Sequence, residues 1–359
     1  MSASENVLNE NREPKSPVTG GAADQKSARR PAAGPWVTAF RKLVRDKTAM
    51  AALGLFILIV IACCCAPLYA SMVAHTDPFT SNINGTITVD GAEQPLLEAS
   101  TEGLGLGTTP IGPTWNLSAY FLGADDQGRD VFARLLYGGI NSLWISGAAT
   151  VLCLFLAGAL GVIAGFFGGV VDALLSRLLD LIWAFPIFLL AISLSIVLIN
   201  TKLQLGPIEI TAGSLWLPIF IIGIVYVPYV ARPIRGQVLS LKNSEFVMAA
   251  IGLGVPSHRI LWKDILPNVA TTLIVFVPLM MALNMATESA LSFLQIGVQP
   301  PDASWGTIIQ DGQNLLYSRP AVALAPGIAI AITVLTLNVF GDGLRDALDP
   351  RSKLRLGRD

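Results

Sequence analysis

Charge is what this sequence has least of. Only 14% of its 359 residues are Asp, Glu, Lys or Arg, against about 25% in an ordinary soluble domain. A chain that is 53% hydrophobic, with a mean hydropathy of +0.60, lacks the polar surface to stay dissolved as a compact domain. Its net charge of −1 gives no electrostatic basis for a nucleic-acid partner. Cysteine is also scarce, at four residues. Cys63, Cys64 and Cys65 share one apolar run and Cys153 lies in another; no Cys-x-x-Cys spacing occurs, and the two histidines, His75 and His258, are far apart. Neither a disulfide framework nor a zinc site is indicated. The sequence shows no nucleophile–base pair, no phosphate-cradling glycine loop and no metal cluster, so no catalytic residue, cofactor or bound metal is expected.

Long apolar runs are what it has. A helix needs about 20 apolar residues to cross the hydrocarbon core of a bilayer. Six runs qualify, at 49–72, 140–167, 173–199, 212–231, 269–294 and 320–341. Pro186 and Pro278 fall inside the third and fifth, where neighbouring helices allow a kink without a break. Small residues crowd the second run, among them Gly147, Ala157, Gly158, Gly161, Ala164 and Gly165, which favours close helix packing. The expected fold is an all-α integral membrane bundle of six transmembrane helices. Basic residues concentrate before the first run, in the loop around 232–268 and after the last run; the positive-inside rule puts all three on the cytoplasmic side, with both termini in.

The chain divides accordingly. Residues 1–35, rich in Pro, Ala, Gly, Ser, Lys and Arg, read as a disordered cytoplasmic tail. Residues 36–72 carry the first span, 73–139 an extracytoplasmic loop, 140–345 a five-helix core with a cytoplasmic loop at 243–268, and 346–359 a cytoplasmic tail. Asn84-Gly85 and Asp90-Gly91 bracket Thr86–Val89, which predicts a small hairpin.

The loop Ser244–Asn268 is the most informative stretch. Asn243 or Ser244 can cap a first helix, with Glu245 complementing its dipole. Phe246, Ala249, Ala250 and Leu253 recur at helical spacing, and Gly254 supplies the freedom to end the helix. Pro256 and Ser257 start a second helix with Ile260, Leu261, Ile265 and Leu266 on one face, and Pro267 is expected to stop it. The product is a rigid amphipathic peg, with two small alanines that allow deep seating in a partner's groove. On the outer side Asp125, Asp126, Arg129, Asp130 and Arg134 form a charged cluster beside the second span; their spacings of four suit a helical salt-bridge ladder. Within the spans, Arg177 and Asp180 can pair on one face. Asn284 and Glu288 lie one above the other, lining a path or bonding another helix.

These segments resemble the membrane subunits of bacterial ABC importers. Their loop pattern reads Glu-Ala-Ala, three residues, Gly, nine residues, Ile-x-Leu-Pro. Ala249, Ala250, Gly254, Leu266 and Pro267 match it; Met248 stands in place of the Glu, and Asp264 in place of the Ile. The segments Leu122–Val131, Glu288–Gly306 and Gly341–Arg351 are similar to the dipeptide, oligopeptide and nickel branch, and to its second, DppC/OppC-type permease. The resemblance implies a type I ABC importer permease fold and a non-catalytic transport subunit of a prokaryotic cytoplasmic membrane. It implies partners as well: a second permease, one or two ATP-binding subunits that dock on loop 243–268 and hold the ATP, and an extracytoplasmic substrate-binding protein. Peptides are the expected cargo, with nickel or a metal chelate as the alternative. A membrane enzyme using Asp172, Asp180 or Glu288, or a passive channel, are readings of a different class.

Overall fold

The computed structural model describes residues 35–89, 92–99, 107–206, 208–211 and 213–349. The reading of 1–35 as a disordered tail lies almost wholly outside them, as does most of the 346–359 tail. A short amphipathic helix comes first, α1 (Pro35–Arg45), with Val37, Phe40 and Val44 exposed. Asp46 then caps α2 (Lys47–Cys64), its carboxylate accepting from the Thr48 and Ala49 amides. The helix continues through α3 (Ala66–Leu68) and a wide turn at Tyr69–Ala74. In the segment before α4, β1 (Thr86–Val89) pairs antiparallel with β2 (Ala92–Pro95), the hairpin expected from the two flanking Asx-Gly turns. A second pair, β3 (Leu97–Ala99) and β4 (Thr108–Pro110), follows.

The bundle is built on α4 (Val131–Phe167), followed by α5 (Gly169–Trp183) and α6 (Ile187–Asn200). A third small hairpin, β5 (Leu203–Leu205) with β6 (Ile208–Ile210), leads to α7 (Trp216–Val225) and α8 (Val227–Lys242). The loop helices are α9 (Glu245–Gly252) and α10 (Ser257–Ile260). The chain then runs through α11 (Leu266–Phe293), α12 (Trp305–Asp311) and α13 (Ala321–Leu348). Among the described residues five segments are long and apolar enough to cross a membrane: Lys47–Cys64, Val131–Phe167, Trp216–Lys242, Ser257–Phe293 and Ala321–Leu348. The bent pair α5–α6 makes a sixth if it counts as one span.

The small residues of α4 explain why it is central. A Cβ at Gly161 would lie 2.7 Å from the Ala231 carbonyl oxygen, and one at Gly165 would lie 2.8 Å from Cβ of Val238. Glycine therefore lets α4 and α8 meet backbone to backbone, where dispersion between close-packed atoms holds helices together without help from water. The buried side chains of that seam, including Cys153, Ala157, Ile234 and Val238, continue into Val247, Ile260 and Ile265 of the loop. The loop is thus an outgrowth of the core.

Four boundaries differ from the sequence expectation. The second span starts at Val131, because Asp130 caps it through the Phe132 and Ala133 amides, and Arg134 is carried inside the helix by its ion pairs. The third span bends by 81° between Trp183 and Ile187 instead of kinking gently at Pro186. The fourth runs on to Lys242, polar residues included. The fifth does not begin after Pro267: a wide turn at Leu261–Ile265 joins α10 to α11, and Pro267 sits in the first turn of α11. Proline lacks an amide hydrogen, which is no loss in a helix's first turn.

Candidate functional site

At one end of the bundle the 243–268 loop is fixed by both of its stems. The Lys242 ammonium donates to the Phe166 carbonyl at 2.9 Å, and the Gln237 amide donates to the Asn268 carbonyl at 3.2 Å. Ser244 occupies the N-cap position of α9, but its hydroxyl donates back to the Leu241 carbonyl at 2.5 Å and makes no cap bond. Glu245 is exposed in the first turn. The helix ends with Gly254 at φ +73. The Gly254 amide donates to the Ile251 carbonyl at 2.9 Å and the Val255 amide to the Ala250 carbonyl at 3.0 Å. This pair of bonds is the Schellman stop, and Val255 and Ala250, which flank it, both pack against the core.

The inward face of α9 is narrower than the one the sequence pattern drew. Val247 is buried and Ala250 half-buried, whereas Phe246, Ala249 and Leu253 point outward with Met248 and Ile251. Leu253 is 84% exposed and Trp262, on the return arm, 68%. Ile260 and Ile265 are buried, Leu266 is half-buried and Pro267 exposed. The loop therefore offers a rigid apolar knob anchored in the bundle and joined without a break to α11.

At the opposite end of α4, about 55 Å away for a 37-residue helix, lies the charged cluster. It is not a helical ladder, because residues 124–130 form a turn closed by an Ala124–Asp130 bridge. Arg129 donates to Asp125 at 2.7 Å and to Asp311 at 3.1 Å; Arg134 donates to Asp311 at 2.9 Å and to the Pro78 carbonyl at 3.0 Å. Asp311 went unnoticed in the sequence, since it lies 182 residues from Arg129. Asp126 is exposed and outside these pairs. Asp130 acts alone: besides capping α4 it accepts from the Tyr120 amide at 2.8 Å and the Thr76 hydroxyl at 3.3 Å. Burial pushes its carboxyl above the usual carboxylate range, against the bonds from Tyr120, Ala133, Phe132 and Thr76. Nearby Asp77 is held below that range by the Thr80 hydroxyl and the Phe79 amide. The cluster clamps the segment around Pro78 and the 124–130 turn to α4 and α12.

Asn284 and Glu288 are both fully buried. Asn284 donates to the Thr150 hydroxyl at 2.9 Å, crossing from α11 to α4. Glu288 accepts from Ser292 at 2.8 Å, and the hydroxyls of Ser142 and Ser304 also reach it. The Ser142 hydroxyl accepts in turn from the Trp305 amide at 3.1 Å, so this carboxyl group ties α11, α4 and α12 together. Arg177 and Asp180 pair across one turn as expected, at 3.8 Å, and Asp180 also accepts, more closely, from Arg232 of α8 at 2.9 Å.

Comparison with known proteins gives the family. The family described as binding-protein-dependent transport system inner membrane component matches residues 157–354, and the N-terminal TM domain of oligopeptide transport permease C matches residues 34–88. The dipeptide transport system permease of Alkalihalophilus pseudofirmus is 34% identical over 90% of this chain and 92% of its own. The oligopeptide transport system permease of Bacillus subtilis is 33% identical over 93% and 96%. The glutathione transport system permease of Pectobacterium atrosepticum is 31% identical over 89% and 92%. With a packed bundle of five or six membrane-crossing segments and a family match covering more than half its length, the chain belongs to the binding-protein-dependent transport system inner membrane components, the multi-pass permeases of ABC importers.

Proposed function

We propose that this chain is one of two permeases in an ATP-driven importer of peptides, and that loop 243–268 couples it to ATP-hydrolysing subunits. The observation that carries the reading is the apolar knob of Phe246, Met248, Ile251, Leu253 and Trp262. These side chains are open to solvent, yet they rest on a hairpin rooted in the core. A soluble partner that grips such a knob moves α8 and α11 with it, because α9 and α10 lie between them without slack. Ala249 sits at the outer surface, where a small side chain admits a close partner. Met248 leaves the knob without the acid common at that position, and Glu245, one turn earlier and exposed, is the available replacement.

The distribution of basic residues supports a cytoplasmic location for both termini and for this loop. The Lys42 ammonium donates to the Asp346 carbonyl at 2.5 Å, which keeps α1 and the end of α13 at one end of the bundle. ATP is held by the partner subunits, and an extracytoplasmic binding protein delivers the cargo at the Asp125–Arg134 end. The names of the relatives favour peptides over nickel.

The test is mass spectrometry of what co-purifies with the full chain in mild detergent. A second permease with one or two ATPases is expected. Recovery of a stable chain with no ATPase would remove the docking argument.

A further inference from the structure

Positions 173, 177 and 180 of α5, with 184 at its C-cap, repeat at helical spacing and form one stripe. Ala173, Arg177, Asp180 and Ala184 are all exposed. Facing them, Arg232 of α8 donates to Asp180 at 2.9 Å, and its guanidinium lies 5.8 Å from the centre of the Trp183 ring. Arg177 reaches Asp180 only at 3.8 Å and keeps 85% of its side chain open. Two guanidiniums thus share one carboxylate, and the stripe carries excess positive charge. The neighbouring Arg235 and Asp172 form a two-bond fork that neutralises itself. About 15 Å of helix separates Arg232 from Lys242, and Lys242 is tied to the end of α4. Arg177 and Asp180 thus fall in the bent α5–α6 pair and Arg232 in the Trp216–Lys242 segment, toward the end nearest the loop. Ionised side chains within a membrane-crossing segment avoid hydrocarbon and turn to a water-filled cavity or to protein.

We propose that this stripe is a wall of the substrate path in the half of the membrane next to the coupling loop. There Arg177 and Arg232 form a transient site for the carboxylate of a passing peptide. The assignment rests on the peptide-importer reading above. Carboxylates, at the C-terminus and on Asp and Glu side chains, are the anionic groups of unmodified peptides, and they match the excess charge; acidic peptides carry the most of them. Asp180 competes for the same guanidiniums and keeps binding brief, as a path that must release its cargo requires.

The test uses the whole transporter with its partner subunits in membrane vesicles, inside-out for labelling and right-side-out for uptake. Ala173→Cys and Ala184→Cys are exposed to a charged, membrane-impermeant thiol reagent, and labelling is read site by site in mass spectra. Buried Cys153 serves as the internal zero, and Leu178→Cys, on the neighbouring apolar face, as the comparison. Both stripe cysteines are expected to label severalfold faster than Leu178→Cys. In right-side-out vesicles the ratio of acidic-peptide to basic-peptide uptake should fall about fivefold in Arg177→Gln, the factor for one charge at about 4 Å in water. Arg177→Lys should restore it. Unlabelled stripe cysteines, or an unchanged uptake ratio in an assembled Arg177→Gln complex, overturn the proposal. If Arg177→Gln does not assemble, the labelling of the cysteine variants decides. If the unaltered transporter imports neither peptide while the stripe cysteines label, the peptide reading and its carboxylate site fall, and the path assignment alone survives.

Discussion

Gly254 separates backbone conformation from crowding in the 243–268 loop. Its φ is +73, and an added Cβ would have no atom within 4 Å. Any penalty for Gly254→Ala is therefore conformational, about 1–2 kcal/mol for a side chain in the left-handed region. Gly252, two residues earlier, also has nothing within 4 Å of its Cβ position but lies in the helix α9 with ordinary φ. Gly252→Ala should be neutral or gain up to about 1 kcal/mol. If the partner binds only the hairpin closed by the Ile251 and Ala250 carbonyls, a 1–2 kcal/mol bias against that hairpin weakens docking about 5–30-fold. Asparagine tolerates the left-handed region, so Gly254→Asn should fall between Ala and the unaltered chain. The assay is titration of the detergent-solubilised permease with purified ATPase subunit, alongside ATPase activity stimulated by loaded binding protein. Equal affinities for Gly252→Ala and Gly254→Ala would refute the reasoning, since the two differ only in φ.

Other expectations follow from the same geometry. Ala249→Arg places a charged arm on the exposed side of α9, so thermal unfolding should be unchanged while ATPase recovery in co-purification is lost. Gly161→Val drives a side chain into the Ala231 carbonyl and Ile234 and should cost about 1–3 kcal/mol, read as a lower melting temperature in detergent. Gly54→Val, with open space around it, should leave that temperature unchanged. Arg129→Met leaves Asp125 and Asp311 to share Arg134 alone and should cost less than the roughly 3–5 kcal/mol of breaking a buried ion pair outright from one side; proteolysis of the 73–120 loop reports it. Asp130→Ala removes the cap of α4 at about 0.5–2 kcal/mol, with Asp130→Asn milder because an amide oxygen can still accept from Phe132 and Ala133.

By itself the sequence determined the class of the molecule. Hydrophobic runs long enough to cross a bilayer are local facts, and so are the Asx-Gly turns around Thr86–Val89, the glycine that ends α9 and the basic clusters. Each depends on residues within a turn or two of one another. The small residues of the second run likewise announced close packing. What they could not announce is that α8 is the helix they meet, because nothing near Gly161 in the chain marks Ala231. The same limit applies to charge. Spacings of four drew Asp126, Asp130 and Arg134 into one helix, but a capped turn placed Asp130 under α4 and left Asp126 outside. Arg129 and Arg134 found Asp311 across the fold. Arg177 and Asp180 were matched by periodicity, yet Arg232 on another helix holds the carboxylate more closely. Only tertiary structure decided these partnerships. An ion or a buried carboxylate in a low-dielectric setting takes whichever partner packing brings within about 3 Å, and packing brings together residues that the chain keeps far apart.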